Sequence, residues 1–293
     1  MYDYILSCES TVDMPFSKVN SRQMPVLFYS YTVGGKEYAD DMCRDPEALP
    51  SFYRLLEKEI PSTSQLNEYQ YVDFFSKLLE KGDVLHIAFG SGMTKSIQGA
   101  EAAAEKLRPK FPGRKLIVID SLCSSSGYGL LVDAAADLRD EGKSIDEVAE
   151  WVDKARHNVN HHFFSTDLKY FRRGGRMSGA AATVATILNI CPILKLDDKG
   201  KIIAYDKVRG KRNAINHILS TMEKRAVDGL NYSGKVFISH SNTLADAMAT
   251  KKAIEERFKH IDGEVQIFDI GTIIASHTGP GTVAVFFFGD ERD

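Results

Sequence analysis

The chain has 293 residues, 43% of them hydrophobic and 26% charged, a soluble globular composition too long for one hydrophobic core, so two domains are expected. A formal net charge of −3 gives no electrostatic reason to expect a nucleic-acid partner, and no apolar run approaches the roughly 18 residues of a membrane span. The opening MYDYILSCES lacks the basic start and apolar stretch of a secretory signal, and Cys8, Cys43, Cys123 and Cys191 have neither CxxC nor zinc-type spacing, so a cytoplasmic protein with reduced thiols is expected.

In chain order, DYILSC and VLFYSYTV read as strands. PSTSQ (61–65) reads as a bend with its hydroxyls turned inward, before the aromatic helix NEYQYVDFFSKLLEKG. VLHIAF and KLIVID are near-continuous apolar runs, suited to a parallel sheet covered on both faces. Each leads into an Ala- and Leu-rich segment of helical period, TKSIQGAEAAAEKLRPKF and then YGLLVDAAADLRDEG. Strand–helix alternation of this kind predicts crossover helices on a parallel sheet. SIDEVAEWVDKARHNV adds a helix with Ser144 as N-cap and Glu147 completing a capping box.

The texture changes after about residue 157. CPILKLDDKGKIIAYDKVRG reads as two strands joined by Asp-Lys-Gly, an antiparallel hairpin. KRNAINHILSTMEKRAV and TLADAMATKKAIEERFKH read as helices; KVFISHS, EVQIFDIG and TVAVFFFGD read as strands. The expected fold is therefore α/β in two domains. Residues 1–157 carry a mostly parallel sheet with flanking helices, and residues 158–293 a mixed sheet with helices.

Polar residues crowd two successive strand ends, where open α/β sheets bind ligands: Ser91, Thr94 and Ser96 after VLHIAF, and SLCSSSGYG after KLIVID. Taken singly, each hydroxyl also suits a helix cap. ASHTGPG (275–281) lies between two strand-like runs and holds more than a hairpin turn requires; His277 is expected to face an acid group at one end of an apolar pocket. RRGGR (172–176) and KVRGKR (207–212) are basic clusters without the spacing of a phosphate loop, readable as solvated surface or as a face for a partner. His161 and His162 are adjacent on a strand and face opposite sides, so they cannot chelate together. GSGMT lacks the nucleophile-elbow pattern. A stand-alone hydrolase or esterase using a Ser/Thr–His pair, Ser91 with His277, stays as the alternative, with no evident acid to complete it. The inventory suits a binder better than a catalyst.

Several segments, in order along nearly the whole chain, resemble the DegV family of bacterial fatty-acid-binding proteins. They are ESTVDMP, PSTSQ, GSGMTKSIQGA, IDSLCSSSGYGLLV, YFRRGGRMSG, VRGKR and SHTGPG. The resemblance implies one long-chain fatty acid buried between two α/β domains. It also implies a carrier that is not itself an enzyme, with the acid as ligand and no other cofactor, presenting the carboxylate to a separate ATP-dependent kinase subunit that makes acyl phosphate. It places Thr63, Thr94 and His277 at the head group, with Ser62 and Ser91 as further head-group candidates, and Arg176 and Arg209 at the kinase contact. Thr94 stands for the family's Ser, Lys95 for its Gly, Ile97 for its Tyr and Glu9 for its Asp, and Lys95 bears on access to the head-group end. Energetics agree: about 14 buried methylenes at ~0.8 kcal/mol each would yield roughly 11 kcal/mol before ordering costs, so affinity needs no strong ion pair.

Overall fold

The computed structural model describes residues 2–177 and 189–293. The Ser178–Gly179 end of RRGGRMSG and nearly all of AAATVATILNI lie outside the described residues. A first, four-stranded sheet is wholly parallel. It takes β1 (Tyr4–Glu9), β2 (Val26–Leu27), β6 (Asp83–Ala88) and β7 (Leu116–Asp120), in the order β2-β1-β6-β7. Helix α1 (Phe16–Ser21) leads from β1 to β2. A small antiparallel sheet of β3 (Ser30–Val33), β4 (Lys36–Ala39) and β5 (Ser62–Thr63) stands beside it, with α2 (Ala48–Leu56) between β4 and β5.

VLFYSYTV therefore divides between two sheets. The bend falls at Phe28–Tyr29, where the Tyr29 N–H donates to Ser10 Oγ instead of to a neighbouring strand. The helices follow their sequence signals more closely. Helix α3 (Glu68–Leu79) begins in an Asn67–Gln70 capping box, and α6 (Ile145–Ala155) in the expected Ser144–Glu147 box. Helices α4 (Ser96–Leu107) and α5 (Ser125–Asp140) follow β6 and β7. Most of α5 is buried, because it packs on the strands of the second sheet as well as on α6. Gly127 permits that approach: a Cβ there would lie 2.3 Å from His161 Nε2.

The second sheet has six strands in the order β10-β9-β8-β13-β11-β12. These are β8 (Val159–Ser165), β9 (Ile190–Leu196), β10 (Ile202–Arg209), β11 (Phe237–His240), β12 (Gln266–Asp269) and β13 (Thr282–Phe288). Only the β11–β12 pair is parallel, so the sheet is mixed, and β9–β10 is the expected hairpin. Helices α7 (Lys169–Arg173), α8 (Lys211–Arg225), α9 (Leu244–Arg257) and α10 (Thr272–Thr278) complete the order. Strand alternation sends Ala284 and Phe286 of β13 toward the first sheet's core, and Val283, Val285 and Phe287 toward a second core. His161 and His162 divide in the same way: His161 meets Phe286, while His162 stacks on Phe287.

ASHTGPG is not a loop between strands, as its composition suggests. Its first half is the last turn of α10, and the chain turns only afterwards, at Gly279 (φ 64°) and Gly281 (φ 88°). Gly279 is required twice over, since its backbone sits in glycine space and a Cβ would overlap the Tyr170 ring. His277 thus sits on a helix, held at a fixed angle.

Candidate functional site

Between the carboxyl ends of the parallel strands and the face of the six-stranded sheet lies a cavity with about 780 Å³ of atom-free space, its open mouth included. Phe163, Ala284 and Phe286 form its floor, Ile273 and Ile274 of α10 one side, and Tyr29, Phe89 and Met93 the facing wall. Leu196 and Ile202, which pair across the β9–β10 hairpin, also line it. The exposed wall is mainly apolar, and polar residues including Ser64, Gln65, Ser124, Ser125, Thr278 and Thr282 also stand in the lining.

One polar group is the Thr63–His277 pair, brought together across 214 residues with Oγ1 to Nε2 at 2.8 Å. Thr63 reaches the cavity because β5 is extended: alternate residues face opposite ways, so Thr63 turns in and Ser62 is left exposed outside the lining. His277 Nδ1 is buried without a hydrogen-bond partner. Gly174 packs against that nitrogen; a Cβ at 174 would lie 2.3 Å from it. Burial, and then the Arg176 guanidinium, hold the His277 imidazolium down to a pKa of about 4, so the ring is neutral at physiological pH. Arg176 lines the cavity half-buried and donates from Nη1 to the Gly174 carbonyl at 2.5 Å. Its own pKa is lowered by burial.

Thr94 is buried in the lining at the start of α4. Its Oγ1 accepts from the Ser96 N–H at 3.2 Å and shares a hydrogen bond with Ser96 Oγ at 2.9 Å. Ser96 Oγ in turn accepts from the Leu66 N–H, which ties α4 to the segment following Thr63. Ser91 stands apart. It is exposed, outside the lining, with its N–H donating to Asp120 Oδ1. Lys95 is exposed as well. Arg209 is exposed at the end of β10, also outside the lining, and its carbonyl accepts from Asn213 Nδ2.

Two features escaped sequence reasoning. His161 lines the cavity fully satisfied: Nδ1 donates to the Val159 carbonyl at 2.9 Å and Nε2 accepts from the Ser124 N–H at 3.2 Å. Those partners fix the neutral tautomer, and burial pushes the imidazolium pKa well down. Glu9, fully buried, is the other. Oε2 accepts from Tyr29 Oη at 3.1 Å and from the Phe89 N–H at 3.0 Å, while Oε1 is approached by Tyr71 Oη and by His86 Nε2 at 3.3 Å. One carboxylate oxygen thus braces two residues of the cavity wall. The available signals were an acidic residue closing the apolar run YILSCE and its place at the position of the family's Asp, and neither told of its partners. Among the described residues, no cluster of three His, Cys, Asp or Glu could hold a metal ion, and no helix is long and apolar enough to cross a membrane.

The family model described as "Uncharacterised protein, DegV family" matches residues 6–290. A DegV domain-containing protein of Clostridium perfringens, CPE0026, is 33% identical over 296 residues, covering 100% of both chains. The solved structure of a fatty-acid-binding DegV family protein from Thermus thermophilus aligns with a TM-score of 0.83 at 26% identity, over 99% of this chain and 100% of that one. A stearic-acid-binding protein from Eubacterium ventriosum shares the fold, with a TM-score of 0.85 at 21% identity over 97% of this chain and 98% of that one. The chain belongs to the DegV family.

Proposed function

We propose that this protein binds one long-chain fatty acid in the cavity and presents its carboxylate to a separate ATP-dependent kinase subunit for conversion to acyl phosphate. The observation that carries the reading is the cavity itself, whose exposed wall is mostly apolar and whose lining holds a hydroxyl–imidazole pair. Relatives crystallised as fatty-acid-binding proteins support it. In this reading residues 1–157 and 158–293 form two domains with the acid in their seam. Thr63 and Thr94 donate to the carboxylate, and His277 orders Thr63. With the proton on Nε2, His277 donates to Thr63 Oγ1, leaving the threonine's own proton for the ligand. Neutral donors offset the desolvation of the carboxylate without clamping it, so an oxygen stays available to attack a phosphoryl group. Ser62 and Ser91, both exposed, act at most at the rim. Arg176 and Arg209 serve the partner. The division of labour fits their surroundings, since Arg176 is half in the cavity and Arg209 is outside it.

The hydrolase alternative has less to stand on. Ser91 does not line the cavity, and no carboxylate meets His277 Nδ1 to complete a relay. Lipid extraction of purified protein with mass spectrometry tests the proposal, the expected result being about one long-chain acid per chain. Protein that emerges free of lipid and also fails to take up labelled fatty acid would falsify it.

A further inference from the structure

We infer that Asp13 and Asp40 are positioning residues for the head-group end of the cavity: they hold the start of α10, and so set where His277 stands against Thr63. The inference rests on the reading above, in which Thr63 and His277 grip the acid.

Helix α10 has no N-cap side chain of its own, because its N-cap is Gly271. Distant residues supply what is missing. Asp13 Oδ1 accepts from the Gly271 N–H at 3.0 Å, and Asp40 Oδ1 accepts from Thr272 Oγ1 at 2.9 Å. Asp13 is itself anchored, its Oδ2 accepting from Ser125 Oγ at 2.5 Å, and Ser125 Oγ lies 3.1 Å from Ser239 Oγ of β11. The two carboxyls therefore join the first sheet's side of the cavity to the helix on the other. Gly271 makes room for them: a Cβ there would lie 2.7 Å from Asp13 Oδ1. Asp13 adopts a left-handed backbone (φ 46°), a conformation held in place by its surroundings.

Both aspartates are almost wholly buried, at 5% and 1% exposed, and burying carboxyls is costly unless donors meet them. Among the donors that meet them are the Gly271 N–H and the Thr272 hydroxyl at the start of α10. Helix α10 has seven residues, about 10 Å at 1.5 Å each, so its start and His277 are two ends of one short rod. Ile273 and Ile274 line the cavity between those ends. Gly174 packs against the far side of the imidazole, so a shift of the rod has no slack to absorb it before the 2.8 Å contact with Thr63 changes.

The test compares Asp40→Ala with the wild-type protein through two readouts. In ligand-free protein, NMR titration of His277 is expected to move from about 4 toward the ordinary histidine value as the ring leaves its seat. In binding assays, affinity for palmitic acid is expected to fall about tenfold, and affinity for its methyl ester, which has the same tail, by less than threefold. Thr272→Val removes the same contact from the other side should Asp40→Ala not fold, and Thr272→Ser should restore both readouts. An unmoved His277 titration, or equal losses for acid and ester, overturns the inference. If the wild-type protein binds neither lipid, the head-group reading fails, while the ligand-free titration still decides whether the aspartates position His277.

Discussion

His277 and His161 line one cavity, and their surroundings differ in every respect that matters. His161 has spent both ring nitrogens on backbone groups and lies against Phe286, with α5 closing over it at Gly127. His277 has spent one nitrogen on a threonine hydroxyl, keeps the other without a partner, and stands near the one guanidinium of the lining. A buried polar group with all its bonds made is part of the scaffold; one left incomplete costs stability and is kept where it has a use. Both rings are held neutral by burial, so charge state does not separate them. Completeness of hydrogen bonding does.

Filling the space between the two histidines has the largest expected effect. Ala284 sits on the cavity floor and is nearly buried. Ala284→Phe places a ring where the acyl chain would lie, and because the space is empty of protein atoms the overpacking cost is modest, about 1–3 kcal/mol. Fatty-acid binding should fall by at least about a hundredfold, or ~2.7 kcal/mol, with a cooperative unfolding transition retained. Unchanged binding, followed by fluorescence of a labelled acid, would move the ligand out of this cavity and dissolve the comparison.

His161→Leu comes second, and it acts on stability. The change leaves the Ser124 N–H and the Val159 carbonyl buried without partners, at about 1–3 kcal/mol each. Denaturant titration should show a loss of about 2–6 kcal/mol, with the affinity of the folded fraction nearly unaltered. A large affinity loss at unchanged stability would make His161 a ligand contact and reverse its assignment.

How much of this was legible in the sequence depends on the range of the interaction concerned. The Ser144–Glu147 box and the β9–β10 hairpin are local matters of capping and turn chemistry, and both were readable. The opposite facing of His161 and His162 follows from strand period alone. What the sequence hid was long-range. Glu9 gathers Tyr29, Tyr71, and His86 with the Phe89 N–H from three segments distant in sequence, and α10 takes its capping from Asp13 and Asp40. The SHTGPG segment misled for the same reason: its Gly and Pro signal a turn, while the preceding IIASHT is short enough that only packing decides for a helix. Ser62 and Ser91 show the limit of residue type as a guide, since a small hydroxyl one or two positions from a site can face solvent.

The smallest expected effect belongs to His277→Asn, and it is the most informative about the comparison. The tail supplies most of the proposed affinity, so losing the imidazole that orders Thr63 should weaken fatty-acid binding only about tenfold, or ~1.4 kcal/mol. Stability at pH 7 should change little, because an incomplete group is being removed. Acid makes the difference visible. The folded pKa of His277 is about 4, below the unfolded value near 6.5, so its contribution is fully present above pH 6.5 and is lost as pH falls from there toward 4. The ceiling on that loss is about 3 kcal/mol, and partial exposure of the ring reduces it. Asp13 and Asp40, whose carboxyls burial pushes upward, act with the opposite sign: their folded forms hold protons longer, so they favour the folded state as pH falls. Subtracting the stability curve of His277→Asn from that of the wild type cancels them, along with His161 and His162. The difference should therefore fall between pH 6.5 and 4 through His277 alone, and a flat difference would mean that the ring is not held neutral by its burial beside Arg176.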